Sequence, residues 1–128
     1  MAVKPIRLFG DPVLTTPAAP VETFDKELRK LVRDLTETMM DEPGAGLAAP
    51  QIGVPLRVSV IDLSVGKRGG ELITLVNPTF VERDGMQLEE EGCLSVPGFV
   101  ATVARPKRVV IKGLNRAGDE HTIEGTGL

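Results

Sequence analysis

The sequence predicts one α+β domain spanning residues 1–128, in which an N-terminal arm and one amphipathic helix pack on antiparallel β-sheets. Three observations lead to this prediction. Apolar residues recur at helical spacing in one early segment, β-branched and alternating runs fill much of the later chain, and short turn sequences join these runs. With 128 residues, of which 41% are hydrophobic, the chain is long enough to bury a core of ordinary size.

Residues 1–22 are predicted to form an extended arm. Prolines at positions 5, 12, 17 and 20 fix the backbone angle φ and remove hydrogen-bond donors, which disfavours helix in this segment. A turn is expected at Gly10-Asp11-Pro12. Four apolar side chains are expected to lie against the rest of the domain: Ile6, Leu8, Val13 and Leu14.

An amphipathic helix is predicted to begin at a cap formed by Thr23 or Asp25. It is expected to end before Pro43-Gly44, because a proline followed by a glycine terminates a helix. The apolar face of this helix is predicted to comprise Phe24, Leu28, Leu31, Val32, Leu35 and Met39.

The remaining chain is predicted to form strands joined by turns. Residues 56–63 and 71–76 are expected to pair as a hairpin through a turn at 66–70, and Asn77-Pro78 is expected to break the second strand. The other predicted strands lie at 79–82, 86–88, 99–103, 108–114 and 120–124, with turns at Val96-Pro97-Gly98 and at 115–119.

Composition and charge argue against several functions. The net charge is −3, and the chain has four Phe but no Trp or Tyr, so it lacks both the positive field and the stacking platforms of a nucleic-acid-binding protein. A lone cysteine cannot form an internal disulfide, and the first residues contain no apolar signal sequence. No apolar run approaches the roughly 20 residues that span a bilayer. The predicted location is the cytoplasm.

The stretch from Gly44 to Gln51 is the first candidate for a functional site. Its small residues remove side-chain bulk, so a ligand can approach the backbone closely, and the amide of Gln51 is available at the end of the stretch. This layout suits a peptide-like ligand that bonds to the main chain, with the amide directed at a carbonyl oxygen that gains charge. The alternative is a tight connection from helix to strand in which the glycines serve only the turn.

The second candidate is Cys93, which follows the acidic run Glu89-Glu90-Glu91. Neighbouring carboxylates disfavour a thiolate, whereas a bound divalent cation deprotonates a coordinating thiol. The pattern therefore favours a metal–thiolate site, in which the N–H of Leu94 can bond an oxyanion. The alternative is a buried cysteine that packs as a small hydrophobe. Glu91 is expected either to orient a partner by its charge or to face solvent.

Cys93, His121 and one carboxylate could make a three-ligand metal site, but nothing in their spacing argues for it, so the site is expected to be incomplete within this chain. His121 is the only histidine, and strand alternation predicts that it is a solvated surface residue beyond a hairpin loop. A cysteine hydrolase that pairs Cys93 with His121 is a further hypothesis, which requires a low thiol pKa.

The two candidate stretches together resemble the first two signature motifs of the peptide deformylases, G-x-G-L-A-A-x-Q and E-G-C-x-S. The matching residues are Gly44, Gly46, Leu47, Ala48, Ala49 and Gln51 in the first motif and Glu91, Gly92, Cys93, Leu94 and Ser95 in the second. The arm is also similar to the start of that family, at Ile6, Gly10-Asp11-Pro12 and Leu14. The resemblance covers residues 1–128.

The resemblance implies a metallohydrolase that removes the N-formyl group from the starting methionine of new polypeptides and releases formate. It implies a divalent metal, Fe²⁺ first and Zn²⁺, Ni²⁺ or Co²⁺ as substitutes, with Cys93 as one ligand. Gln51 and the N–H of Leu94 are then the oxyanion donors. The substrate-binding positions are expected to be Gly44, Ala45, Gly46, Leu47 and Glu91.

The sequence departs from that family at its third motif, H-E-x-x-H, which supplies two histidine ligands and a glutamate. Residues 1–128 contain no such motif, so we expect a chain that stops short of the family's central metal-binding helix and is inactive alone. The alternative is a non-catalytic module that keeps only the peptide groove. Nascent chains and the ribosome are the expected partners, and the sheet face left uncovered is expected to self-associate.

Overall fold

The structure, a computed structural model, describes residues 3–42, 44–64 and 72–126. The predicted α+β class is confirmed, with a helix packed on antiparallel sheets. The helix and strands of the described residues are α1 (Lys26–Asp41), β1 (Gly46–Ala48), β2 (Val58–Ile61), β3 (Ile73–Asp84), β4 (Gln87–Cys93), β5 (Val96–Arg105), β6 (Arg108–Leu114) and β7 (Glu120–Thr126). Two 3₁₀ turns accompany them, Pro12–Leu14 and Ala49–Ile52.

Helix α1 forms where the sequence predicts it. The carboxylate of Asp25 accepts a hydrogen bond of 3.0 Å from the N–H of Leu28, which satisfies one of the free donors at the helix start. The helix ends at Asp41, before Pro43, as predicted. Its apolar face is buried, and Leu35 and Met39 have no exposed surface.

The strands form two sheets. The larger has the order β1-β2-β3-β6-β7, every neighbouring pair being antiparallel, and the smaller is a ribbon of β4 and β5. Helix α1 packs on the β1–β2 end of the larger sheet, where Leu47, Val58, Val60 and Val76 complete the core. Burying such side chains stabilises the fold by about 1.5–3 kcal/mol each.

The arm is extended, and its predicted turn is present. Gly10 has a φ of +102°, a left-handed angle that favours glycine, and the 3₁₀ turn follows it directly. Ile6, Val13 and Leu14 are half-buried, but the prediction for Leu8 is wrong because 53% of its surface is exposed. Leu8 opens the turn, accepting a bond from the N–H of Asp11, and this part of the arm is held by its backbone.

The predicted break at Asn77-Pro78 is wrong, because β3 runs through both residues as a bulge. Asn77 adopts a positive φ of 51°, which asparagine tolerates better than most residues. Its side chain accepts a bond from the N–H of Val21 at 2.8 Å and donates to the carbonyl oxygen of Val21 at 2.9 Å. Proline is acceptable here because a bulge interrupts the ladder of hydrogen bonds.

The predicted turn at Val96-Pro97-Gly98 is also wrong. The chain reverses at Leu94 and Ser95, and β5 begins at Val96. A bulge absorbs the extra residues, since Gly92 pairs with Val100 but Cys93 pairs with Val96. The strands predicted at 86–88 and 99–103 are parts of the longer β4 and β5.

The other strand predictions hold with small changes. Strand β6 has the predicted bounds, β7 extends two residues beyond position 124, and β2 is shorter than the predicted 56–63. The predicted turn at 66–70 lies outside the described residues. In the described part of the chain, no helix combines the length and the apolar character needed to cross a membrane.

Candidate active site

The two stretches singled out in the sequence meet in space. Gln51 lies in the 3₁₀ turn that follows β1, and Cys93 lies at the end of β4, 42 residues later. The side-chain nitrogen Nε2 of Gln51 is 3.8 Å from Sγ of Cys93. The thiol is free and exposed. The alternative of a buried cysteine that packs as a small hydrophobe is therefore wrong.

The amide of Gln51 is held at both ends. Its Oε1 accepts a hydrogen bond of 3.0 Å from the N–H of Ala48, and its Nε2 donates to Oγ of Ser95 at 3.1 Å. These bonds also fix which end of the amide faces Cys93. The donor N–H groups of Gln51 therefore point toward the thiol.

Ser95 is a site residue that the sequence analysis did not assign. It is 4% exposed, and its hydroxyl accepts the bond from Gln51. The signal for it was present, because Ser95 belongs to the same motif as Cys93 and a buried hydroxyl requires a partner. The sequence does not identify Gln51 as this partner, because the two residues are 44 positions apart in the chain.

Leu94 anchors the end of the ribbon in the body of the protein. Its side chain packs against the core, and a Cβ placed on Gly44 would lie 3.0 Å from its Cδ1. A side chain at position 44 would therefore displace the end of the Leu94 side chain by a few tenths of an ångström. Among the described residues, the N–H of Leu94, directly after Cys93, has no acceptor.

Strand β1 is an edge strand, and Gly46 faces its open side. The carbonyl oxygen of Ala45 accepts a bond from Asp62, next to β2, at 2.8 Å, so Ala45 is directed toward β2. Backbone groups alternate along an antiparallel strand, so those of Gly46 and Ala48 point the other way. The N–H of Ala48 is bound by Gln51, whereas Gly46 has no partner within the described ranges. Leu47 is buried in the core.

Glu91 pairs with Arg105 across the ribbon. Two hydrogen bonds join them, from Nε at 2.9 Å and from Nη2 at 2.8 Å. The hydrogen bonds from Arg105, and then its positive charge, hold the pKa of Glu91 below its ordinary value. Glu91 is thus paired by its charge while 37% of its side chain stays exposed, so both roles predicted for it are compatible with the structure.

His121 is on the edge of the larger sheet opposite to β1. It is on β7, four strand positions from β1, which is about 19 Å at the usual strand spacing. The prediction of a solvated histidine is wrong, because its Nε2 is buried and has no hydrogen-bond partner among the described residues. The residue lines a cavity of about 340 Å³ together with Asn115 and Ile73. The hypothesis that Cys93 pairs with His121 gains no support from this arrangement.

The metal-ligand set is incomplete in the described part of the chain. Across residues 3–42, 44–64 and 72–126, no three Cys, His, Asp or Glu side chains are grouped so that they could bind an ion. A catalytic zinc-type site uses three protein ligands. Cys93, with an exposed thiol at a strand end, suits one ligand position and leaves two to be supplied by other groups.

The fold and the site describe an α+β domain with an open sheet edge beside a thiol and an amide. The polypeptide deformylase family model matches residues 3–128. The peptide deformylase of Acidothermus cellulolyticus is 56% identical over 128 residues, which are all of this chain and 68% of that protein. That of Parafrankia is 52% identical with the same coverage. The chain belongs to the peptide deformylase family.

Solved structures of the family have the same fold. A peptide deformylase from Legionella pneumophila superimposes with a TM-score of 0.95 at 49% identity, over 99% of this chain and 74% of that one. The structure from Thermotoga maritima gives a TM-score of 0.92 at 38% identity, over 99% of this chain and 84% of that one. The peptide deformylases are hydrolases, and they are metalloenzymes.

Proposed function

We propose that this protein serves in the metal-dependent removal of the N-formyl group from the starting methionine of new polypeptides, with release of formate. The observation that carries the proposal is the approach of Gln51 Nε2 to within 3.8 Å of Cys93 Sγ. This contact joins a hydrogen-bond donor to a thiol that can bind a metal. The family relationship supports the same reaction.

The substrate would bind as an additional strand beside β1. Gly46 directs its N–H and C=O groups to the open edge, and an extended peptide can pair with them as one strand pairs with another. The small residues Gly44 and Ala45 limit the bulk next to this edge. The formyl carbonyl would then lie near Gln51, in the turn that follows β1, and near Cys93 beside it.

Two donors would stabilise the negative charge that develops on the formyl oxygen. Nε2 of Gln51 is already oriented by Ala48 and Ser95, so little reorganisation is needed during the reaction. The N–H of Leu94 is the second donor, because it follows Cys93 directly. The pair Glu91–Arg105 holds the strand that carries the thiol.

Cys93 would be one ligand of a divalent metal, which we propose to be Fe²⁺, with Zn²⁺, Ni²⁺ or Co²⁺ as alternatives. When bound, such an ion supplies Lewis-acid polarisation of the carbonyl group and activation of water. The sequence of 128 residues contains a single histidine and no H-E-x-x-H motif. We therefore propose that these residues alone retain metal weakly and have little deformylase activity.

A second candidate is a non-catalytic module that binds formyl peptides. It is favoured by one observation: the open edge at Gly46 is complete within the described residues, whereas the ligand set is not. The proposed partners are nascent chains, with contact to the ribosome and action in the cytoplasm. Sedimentation of the protein with purified ribosomes would test the ribosome contact.

Metal content and formate release separate the two candidates. For the enzyme, the 128-residue chain should show near-zero activity on a formylmethionyl peptide and substoichiometric metal, and attaching a helix that bears H-E-x-x-H should restore both. Stoichiometric binding of the formyl peptide to the metal-free, monodisperse chain, without activity after the helix is attached, would establish the binding module instead.

A further inference from the structure

One segment of the N-terminal arm bonds to both halves of the site. The N–H of Arg7 donates to the carbonyl oxygen of Gln51 at 2.7 Å, and the N–H of Phe9 donates to the carbonyl oxygen of Ser95 at 2.8 Å. Gln51 carries the amide of the site, and Ser95 ends the turn that begins just after Cys93. The arm therefore bridges the 3₁₀ turn and the tip of the ribbon.

The spacing of these two bonds follows from an extended backbone. In an extended segment, residues i and i+2 direct their N–H groups to the same side, about 6.6–6.8 Å apart. Arg7 and Phe9 have this relation. Two acceptors on separate elements are thus held at a distance that is set by one short piece of main chain. The N–H of the intervening Leu8 has no acceptor among the described residues.

The segment is fixed at its end by the Gly10-Asp11-Pro12 turn. The N–H of Asp11 donates to the carbonyl oxygen of Leu8 at 3.0 Å, and the Asp11 carboxylate accepts bonds of 3.0 Å from the N–H of Val13 and from Nη1 of Arg7. Gly10 provides the positive φ of 102°.

The Arg7 side chain also lies against the residue that follows the element carrying Gln51. It covers Gly53, which follows the 3₁₀ turn, so closely that a Cβ at Gly53 would lie 2.7 Å from Nη2. Gly53 also has a φ of +89°, so a residue with a side chain would be strained there by the backbone angle. The arm thus bonds to this turn through its backbone and contacts it through the Arg7 side chain.

We propose that residues 7–11 form a positioning strap, which sets the distance between the Gln51 amide and the Cys93 thiol. The strap touches neither group directly and acts through the backbone of Gln51 and Ser95. This inference gives the Gly10-Asp11-Pro12 motif a role in the reaction that we propose above, and its relevance to catalysis rests on that function. The effect of the strap on the distance between the amide and the thiol does not depend on that function.

Phe9→Pro is the decisive variant, because it removes the N–H that bonds to Ser95. Phe9→Ala is its matched control, since it removes the same exposed side chain and keeps the N–H, and Leu8→Pro controls for inserting a proline. Exchange of the Ala48 amide proton reports directly on Gln51, because that proton is bound by Gln51 Oε1. The alkylation rate of Cys93 by iodoacetamide reports on the thiol, as Cys93 is the only cysteine.

In Phe9→Pro we expect Ala48 exchange to accelerate about tenfold, the effect of losing one hydrogen bond, while the Leu35 amide in α1 exchanges as before. The Cys93 alkylation rate should change in the same variant and stay constant in both controls. Equal Ala48 exchange and equal alkylation in Phe9→Pro and Phe9→Ala would overturn the proposal.

A surface variant covers the case in which Phe9→Pro does not fold. Asp11→Ala removes the two carboxylate bonds of the turn and should accelerate Ala48 exchange about threefold, with Glu120→Ala as a control in a distant ion pair. No difference between Asp11→Ala and Glu120→Ala would also refute the strap. Ala48 exchange and Cys93 alkylation require neither bound metal nor activity. A failure of the strap can therefore be told apart from a failure of the deformylase proposal.

Discussion

The helix end of the larger sheet and the β4–β5 ribbon differ sharply in burial. Where α1 packs on β1 and β2, Leu35 and Val60 have no exposed surface. On the ribbon, Leu88, Phe99 and Val100 are 64%, 73% and 68% exposed. The site lies where these two regions meet, with Gln51 on the buried side and Cys93 on the exposed side. The two groups of the site therefore depend on parts of the structure that differ in stability.

Truncating one leucine in each region should show this difference in stability most clearly. Leu35→Ala should lower the free energy of unfolding by about 2–5 kcal/mol, because it leaves a cavity in a fully buried position. Leu88→Ala, the same change on the ribbon, should cost no more than about 0.5 kcal/mol, as surface substitutions do. Urea denaturation measures both. Both variants are compared at low protein concentration, where copies of the chain do not associate, and similar losses there would mean that the ribbon is covered within the monomer.

The second prediction concerns the amide on the buried side. In a chain made active by an attached helix bearing H-E-x-x-H, Gln51→Ala should reduce kcat about 10²–10³-fold, the usual effect of removing one oxyanion donor. Ser95→Ala keeps the donor and removes only its hydroxyl partner, so it should reduce kcat about tenfold. Steady-state formate release gives both values. If Gln51→Ala were as active as Ser95→Ala, the amide would not be a donor in the reaction.

The third prediction concerns the bulge of β3, through which the arm is joined to the larger sheet. Asn77→Ala should destabilise the protein by about 2–3 kcal/mol, because it removes two side-chain bonds to Val21 and places alanine at a positive φ. Asn77→Gly loses the same bonds without the backbone strain, so it should cost about 1–2 kcal/mol. Thermal unfolding of both variants separates the two contributions.

Local patterns predicted the elements that depend on neighbouring residues. The spacing of apolar residues and the Asp25 cap were enough for α1, and the hairpin of β6 and β7 followed from alternation and its loop. The errors at Asn77 and at Val96-Pro97-Gly98 have one cause. Turn-forming residues there serve bulges, and a bulge depends on how the partner strand is paired.

The site, like the fold, was predictable from the sequence only in its local motifs. The motif residues Gln51 and Cys93 were assigned from their chemistry and from the family resemblance, and the structure brings them together. Ser95 and the arm were missed because their roles are contacts across 44 or more residues, which no local pattern encodes. The burial of His121 Nε2 likewise depends on the cavity beside it.

The fourth prediction tests the exposed ribbon directly. We expect a second copy of the chain to cover its apolar side chains, so sedimentation velocity should show association that increases with concentration. Phe99→Lys should weaken that association. Phe9→Lys is the matched control, because Phe9 is 84% exposed but lies on the arm. A monomer at every concentration, or equal effects of the two lysine variants, would contradict the assignment of the interface to the ribbon.

The smallest effect concerns the pH dependence of the ribbon's ion pair. Arg105 holds the pKa of Glu91 below its ordinary value of 4.5, so the folded state binds this proton less readily than the unfolded chain. The pair therefore stabilises the fold above about pH 4.5, and this contribution is lost as the pH falls through the lowered pKa. Tm measured from about pH 6 to pH 3 should fall less steeply in Glu91→Gln than in the parent. Arg105→Met should flatten the curve equally, and the double variant should add nothing further, because each single change already removes the whole interaction.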